Sequence, residues 1–116
     1  MKRGEIYWAV FSPRSGSEQS GRRPVIILSH DAFNQTSAWR SVIVIPLSES
    51  ATQARRGPTV VALNAGTAGL PDESWVICHQ ITTLDRAKLA DKIGVLPPDI
   101  LTQVEQAMLA AVDIRR

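Results

Sequence analysis

The chain has one cysteine, two histidines and no apolar run long enough to span a bilayer, and each shortage removes a class of function. A single thiol, Cys78, cannot close an internal disulfide, which fits a reducing, cytoplasmic setting. A membrane-spanning helix needs about 20 mostly apolar residues. No stretch approaches that length, so no membrane partner is expected. Met1-Lys2-Arg3-Gly4-Glu5 is a basic start with no apolar segment or small-residue cleavage site behind it, and a secretory leader is not expected. His30, His79 and Cys78 lack the paired spacing of metal ligands. No metal and no other cofactor are expected. Neither G-x-x-x-x-G-K-[ST] nor G-x-G-x-x-G after a strand occurs, which removes the common nucleotide-binding loops. There is no internal repeat, low-complexity tract or linker, so residues 1–116 read as one domain.

The 116 residues are 44% apolar and 21% charged, an ordinary globular balance. The formal charge is only +2, but it is unevenly spread. Residues 1–60 carry eight Lys/Arg against four Asp/Glu, and residues 61–116 carry five against seven. Ten of the thirteen cations are arginine. Guanidinium groups bind phosphate in a planar, bidentate way that ammonium groups cannot copy. An arginine-rich chain also arises from a GC-rich genome; a phosphate-facing N-terminal half is the functional alternative.

Short apolar runs recur along the chain. Glu5–Val10 alternates like a strand, and Val25–Leu28 reads as a strand buried on both faces. Val42–Ile45, Thr59–Leu63, Ser74–Ile81 and Ala90–Leu96 complete the expected strands. Trp75, Ile77 and His79 would share one face of Ser74–Ile81. Ser12–Arg22, His30–Arg40, Ser48–Pro58 and Asn64–Asp72 read as loops, and Asp85–Leu89 as one helical turn. Pro97-Pro98-Asp99 opens a helix whose stripe is Ile100, Leu101, Val104, Met108, Ala111 and Val112. The expected fold is mainly β with some α: a small, strongly curved antiparallel sheet or barrel carrying a C-terminal helix.

The stretch Gly16-Ser17-Glu18-Gln19-Ser20-Gly21-Arg22-Arg23-Pro24 leads straight into Val25-Ile26-Ile27-Leu28. It sets a carboxylate, an amide, hydroxyls and two guanidinium groups at a buried strand's mouth, a suitable place for an anion. Pro24 lacks an amide hydrogen and suits a strand's first position. Arg23 is either a site residue or a surface arginine stacked on Tyr7 or a tryptophan. Glu18 is either its salt-bridge partner or a proton acceptor. Ser48, after Pro46-Leu47, is either a positioned hydroxyl or a turn residue. Cys78, mid-strand, reads as a small core residue. His30 and His79 have side chains suited to acid–base work, His79 being the better placed, though a solvated loop residue is the plainer reading for His30.

Together with Arg3-Gly4-Glu5-Ile6-Tyr7-Trp8, this stretch resembles the opening of the MazF/PemK (Kid) family, small ribonuclease toxins of bacterial toxin–antitoxin pairs. The family pattern of R-G, an acidic residue, an apolar and an aromatic one, then G-S-E-Q-x-G-x-R-P, is present in order. Val42–Ser48, Ser74–Ile81, Thr83-Leu84-Asp85-Arg86 and Asp91-Lys92-Ile93-Gly94 continue the likeness. The resemblance implies an SH3-like barrel of the MazF/CcdB type with a C-terminal helix, a homodimer, and metal-independent cleavage of single-stranded RNA. The products would be a 2′,3′-cyclic phosphate and a 5′-hydroxyl. The family's catalytic arginine maps to Arg23 and its threonine to Ser48, where serine keeps the hydroxyl and loses the stiffening methyl. The loop glutamate maps to Glu18. The RNA-contacting set then takes in Ser17, Gln19, Gly21, Arg22, Arg55, Arg56, His79 and Gln80.

The partners implied are single-stranded RNA, whether mRNA, tRNA or rRNA, and a MazE-like antitoxin. An acidic, disordered antitoxin segment suits the cationic N-terminal half. Two rival readings are a CcdB-like gyrase-binding toxin and a family member that binds RNA or antitoxin without cutting. CcdB-like proteins use a C-terminal Trp-Gly-Ile, whereas this chain ends Asp113-Ile114-Arg115-Arg116.

Overall fold

A computed structural model describes residues 1–11 and 21–115, and at Arg56 the backbone alone. The strands are β1 (Glu5–Phe11), β2 (Gly21–Ile27), β3 (Ser41–Ser48), β4 (Val60–Leu63), β5 (Ser74–Ile77), β6 (Thr82–Asp85) and β7 (Leu89–Val95). A single turn, α1 (Asp31–Asn34), and a terminal helix, α2 (Pro98–Ala111), complete the regular structure with short 3₁₀ segments between. All strand pairs are antiparallel and form one open, curved sheet in the order β4-β5-β3-β2-β1-β7.

β3 is the hub. One of its edges pairs with β2 over Val44–Pro46. The other pairs with β6 over Ser41–Val44 and then with β5 at Leu47 and Ser48. Strand alternation sorts the apolar residues into two clusters. Ile6, Ile26, Ile45, Leu47, Leu63 and Val76 pack with Leu96, Val104 and Ala107 beneath α2. Ala9, Val25, Ile27, Val42 and Val44 form the second cluster. Val25, Ile26 and Ile27 are fully buried, so this run is covered on both faces as its composition implies. Each such side chain contributes about 1.5–3 kcal/mol through burial.

Two of the sequence motifs hold the fold. Arg3 donates widely: its amide to Asp31 Oδ1 at 2.7 Å, its Nε to the Leu28 carbonyl at 3.0 Å. Its guanidinium also pairs with Glu105 of α2 at 2.6 Å. Glu5, nearly buried, accepts from the Lys2 amide and Tyr7 hydroxyl and pairs with Lys92 at 2.7 Å. Arg86 donates to the carbonyls of Phe33, Asn34, Thr36 and Trp39, tying the α1 region to the end of β6.

Several boundaries differ from the sequence reading. β2 begins at Gly21 rather than Val25, because Gly21–Pro24 pair with Phe11–Trp8 of β1. Pro24 therefore lies inside the strand; the β2–β3 ladder begins only at Val25, so Pro24 is paired on one side. β5 stops at Ile77, and Cys78–Gln80 form a 3₁₀ turn, which takes His79 off the strand face it was expected to share. Thr82–Asp85, not expected as a strand, is held as one by its ladder to β3. Ala51–Thr59 is a 3₁₀ segment with a break at Gly57. On α2, Ala107 is buried three residues after Val104, whereas Val112 lies past the helix end and is exposed.

Candidate functional site

The β2–β3 ladder ends at Val25 opposite Pro46. Beyond it the strands part: β2 stays on β1, while Leu47 and Ser48 of β3 turn to Val76 and Trp75 of β5. A cleft of about 230 Å³ fills the gap, lined by Trp8, Arg22, Arg23, Pro24, Leu47, Ser48, Glu49 and Ser50. Buried Leu47 and the backbone pairing of Ser48 to Trp75 make its β3 wall rigid. Two of the residues proposed from sequence, Arg23 and Ser48, thus meet across a gap between strands. Continuing the β2–β3 register past its last pair would set these two residues opposite one another, on the same face.

Arg22 and Arg23 are neighbours on one strand, so their side chains leave on opposite faces. Arg23 is half-buried, and Arg22 is exposed. The Arg22 guanidinium carbon lies 4.5 Å from the centre of the Trp8 ring. The arginine–tryptophan stack considered for Arg23 is thus made by Arg22, because Trp8 is opposite Pro24 and only a diagonal step from Arg22. Ser48 Oγ accepts a hydrogen bond from the Ser50 amide at 3.1 Å, which fixes the hydroxyl oxygen at the start of the following turn. Glu49 is the cleft's acidic member. A hydrogen bond with the Asp72 carboxyl, then partial desolvation and the neighbouring charge, hold the Glu49 carboxyl above its ordinary value of 4.5.

The other sequence candidates fall elsewhere. Ser17, Gln19 and Glu18 lie outside the described residues. Gly21 opens β2 with φ +106, a conformation that favours glycine. Arg55 is exposed on the 3₁₀ segment after the cleft, with Arg56 next to it in the chain. His79 and Gln80 are exposed at the turn joining β5 to β6, on the edge of β3 away from β2, and neither lines the cleft. His30 caps α1, where its Nδ1 accepts from the Ala32 amide. Cys78 is fully buried, and burial pushes its thiol up to about 12, so it is a core residue. Among the described residues, no three of His, Cys, Asp and Glu gather as a metal-holding group, and no helix is long and apolar enough to cross a membrane.

Trp8 and Glu49 were not singled out by the sequence reading. Glu49 had one available signal, its place directly after Ser48. Trp8 ends the Arg3–Trp8 motif, but its place at the cleft follows only from the β1–β2 register.

A cleft with two guanidinium groups, a fixed hydroxyl and a carboxyl can bind a phosphate and stabilise charge on it. The fold and cleft define a small β-rich protein with an arginine-lined cleft at a parting of strands. Residues 2–112 match the model of the PemK-like, MazF-like toxins of type II toxin–antitoxin systems, and the chain belongs to that family. It is 35% identical over 116 residues to the endoribonuclease EndoA of Bacillus subtilis, covering 97% of each chain. It is 32% identical over 114 residues to the endoribonuclease MazF6 of Mycobacterium tuberculosis, covering 98% of each. Among solved structures, it is similar to MazF in a MazE–MazF complex from Deinococcus radiodurans. There the TM-score is 0.76 at 27% identity, covering 99% of this chain and 97% of that one. A mycobacterial endoribonuclease in complex with its cognate antitoxin shares the fold, with a TM-score of 0.76 at 24% identity over 100% of this chain and 98% of that one.

Proposed function

We propose that this chain is the toxin of a type II pair and acts as a sequence-specific endoribonuclease on single-stranded RNA, without a metal, and so arrests translation and growth. The observation that carries the reading is that Arg23 and Ser48, on different strands, line one cleft. The curated relatives' naming as endoribonucleases supports it.

In the proposed reaction the ribose 2′-hydroxyl attacks the adjacent phosphorus in line. The nucleophile belongs to the substrate, so the protein's task is to position the phosphate and stabilise the negative charge that gathers on its non-bridging oxygens. The Arg23 guanidinium and the Ser48 hydroxyl hydrogen serve as those donors. Arginine has a pKa above about 12 and is a poor proton carrier, so Arg23 acts electrostatically. Glu18 takes the 2′-hydroxyl proton; His79, the other candidate from sequence, does not line the cleft. Breaking of the P–O5′ bond, with a proton taken up from water by the leaving 5′-oxygen, leaves a 2′,3′-cyclic phosphate and a 5′-hydroxyl. Single-stranded RNA is read through the edges of unstacked bases. Ser17, Gln19, Gly21, Arg22, His79 and Gln80 are assigned to that contact, with Arg55 and Arg56 on the backbone.

The MazE partner of the Deinococcus neighbour supports a MazE-like antitoxin here, and the family resemblance supports a homodimer in the cytoplasm. The mechanism is tested with an RNA carrying a single 2′-deoxy sugar 5′ to the mapped scissile phosphate. That substrate should be inert while its all-ribose twin is cut. Cleavage of the deoxy substrate at the same bond would overturn 2′-hydroxyl attack.

A further inference from the structure

We infer that the Arg22–Trp8 pair is a base reader at the cleft mouth, selecting a nucleotide next to the scissile phosphate whose base offers two adjacent acceptors on one edge. The inference rests on the ribonuclease reading above and deepens it. Trp8 and Arg22 line the same cleft as Arg23 and Ser48, so a base held by the first pair neighbours a phosphate held by the second.

Strand alternation assigns the two arginines different work. Arg23 leaves β2 on the face that the extended register shares with Ser48. Arg22 leaves on the opposite face and lies 4.5 Å from the centre of the Trp8 ring. The cation–π contact with the indole restrains the Arg22 guanidinium, and a planar fork restrained in advance loses less entropy when it binds. Guanidinium has donors only. Its fork therefore matches O6 and N7 of guanine, or O2 and N3 of an unpaired cytosine. Adenine and uracil place a donor beside each acceptor on their Watson–Crick edges, and adenine does so on its Hoogsteen edge as well. They satisfy one arm of the fork and oppose the other.

The test is to map cleavage of a long mixed-sequence RNA by wild type, Arg22→Ala and Arg22→Lys, with circular dichroism to establish that each variant is folded. Wild type should show a fixed guanine or cytosine at one position flanking the cut. In both variants the rate at that motif should fall roughly 10- to 100-fold. The rate at sites altered only at that position should change little, so selectivity collapses there alone. If the fixed base is guanine, 7-deazaguanosine should slow wild type and leave Arg22→Ala unmoved; if cytosine, 3-deazacytidine should do so. A fixed adenine or uracil, or no fixed base, at both flanking positions would overturn the inference. So would an Arg22→Ala enzyme that slows equally at every site, the behaviour of a phosphate contact. Failure of folded wild-type protein to cut any RNA would overturn the ribonuclease reading, and this inference with it.

Discussion

Arg23 and Ser48 stand on adjacent antiparallel strands just past the last rung of their ladder, Val25 to Pro46, and both line the cleft that opens there. Neither is held by the β2–β3 ladder, yet each is held on its far side, Arg23 by Ala9 of β1 and Ser48 by Trp75 of β5. The strands are thus rigid where the site is open, which is the condition for donors preorganised toward a phosphate.

Loss of either donor should slow cleavage without unfolding the protein. Arg23→Ala and Ser48→Ala are each expected to lower kcat by roughly 10²–10³-fold, the effect of deleting one transition-state donor. Ser48→Thr keeps the hydroxyl and should retain activity. Single-turnover cleavage of one mapped substrate checks all three, and a dead Ser48→Thr would show that the site does not work through that hydroxyl.

Glu49 should oppose RNA binding as it ionises. Its pKa is raised, chiefly by the hydrogen bond to Asp72, so its negative charge arrives later on a rising pH scale than for an ordinary glutamate. Glu49→Gln should bind a non-cleavable 2′-deoxy substrate more tightly at the alkaline end of the range, where Glu49 is charged, and the advantage should vanish as pH falls below the raised pKa. Fluorescence anisotropy across that range is the check.

The Glu5 cluster should set part of the acid sensitivity of the fold. Burial raises the Glu5 pKa, but bonds from Lys92, the Lys2 amide and Tyr7 together outweigh it and leave the value below 4.5. A depressed folded pKa contributes stability that is present above 4.5 and lost as pH falls through the folded value. Glu5→Gln should cost about 1.5–3 kcal/mol at neutral pH, and less in acid. Urea melts at pH 7 and at pH 3.5 would expose the difference.

Gly94 admits no side chain. A Cβ there would stand 2.0 Å from the Ala68 carbonyl oxygen, and that segment includes a positive φ at Ala68 itself. Gly94→Ala should lower stability by about 1–3 kcal/mol or more, read as a drop in Tm.

Arg55 and Arg56 are expected to act as simple backbone charges. The double alanine variant should weaken RNA binding about equally across sequences and flatten its salt slope by roughly 0.7 for each phosphate no longer neutralised. An unchanged slope would make them ordinary surface residues.

The sequence carried the architecture further than the site's geometry. Val25–Ile27 announced a doubly buried strand by being continuously apolar, and α2 announced itself through Pro98, Asp99 and the spacing of Ile100, Leu101 and Val104. Gly21–Arg23 did not look like strand, because their pairing comes from the register with β1 and not from their own propensities. The same register brings Trp8 beneath Arg22, and no local pattern encodes it. His79 was misplaced for a related reason: the alternation of Ser74–Ile81 continues past Ile77, while the chain turns there to pass from β5 to β6. Arg23 and Ser48 were legible as candidates from their motifs, but their sharing of one cleft depends on where a ladder stops.

The most direct test of the account is to incubate the purified protein with a long mixed-sequence RNA in EDTA and map the new ends. The account predicts cuts at a short recurring motif, with cyclic-phosphate and 5′-hydroxyl ends, slowed roughly 10²–10³-fold in Arg23→Ala. Intact RNA after incubation with well-folded, antitoxin-free protein, or cleavage at an undiminished rate in Arg23→Ala, would contradict it.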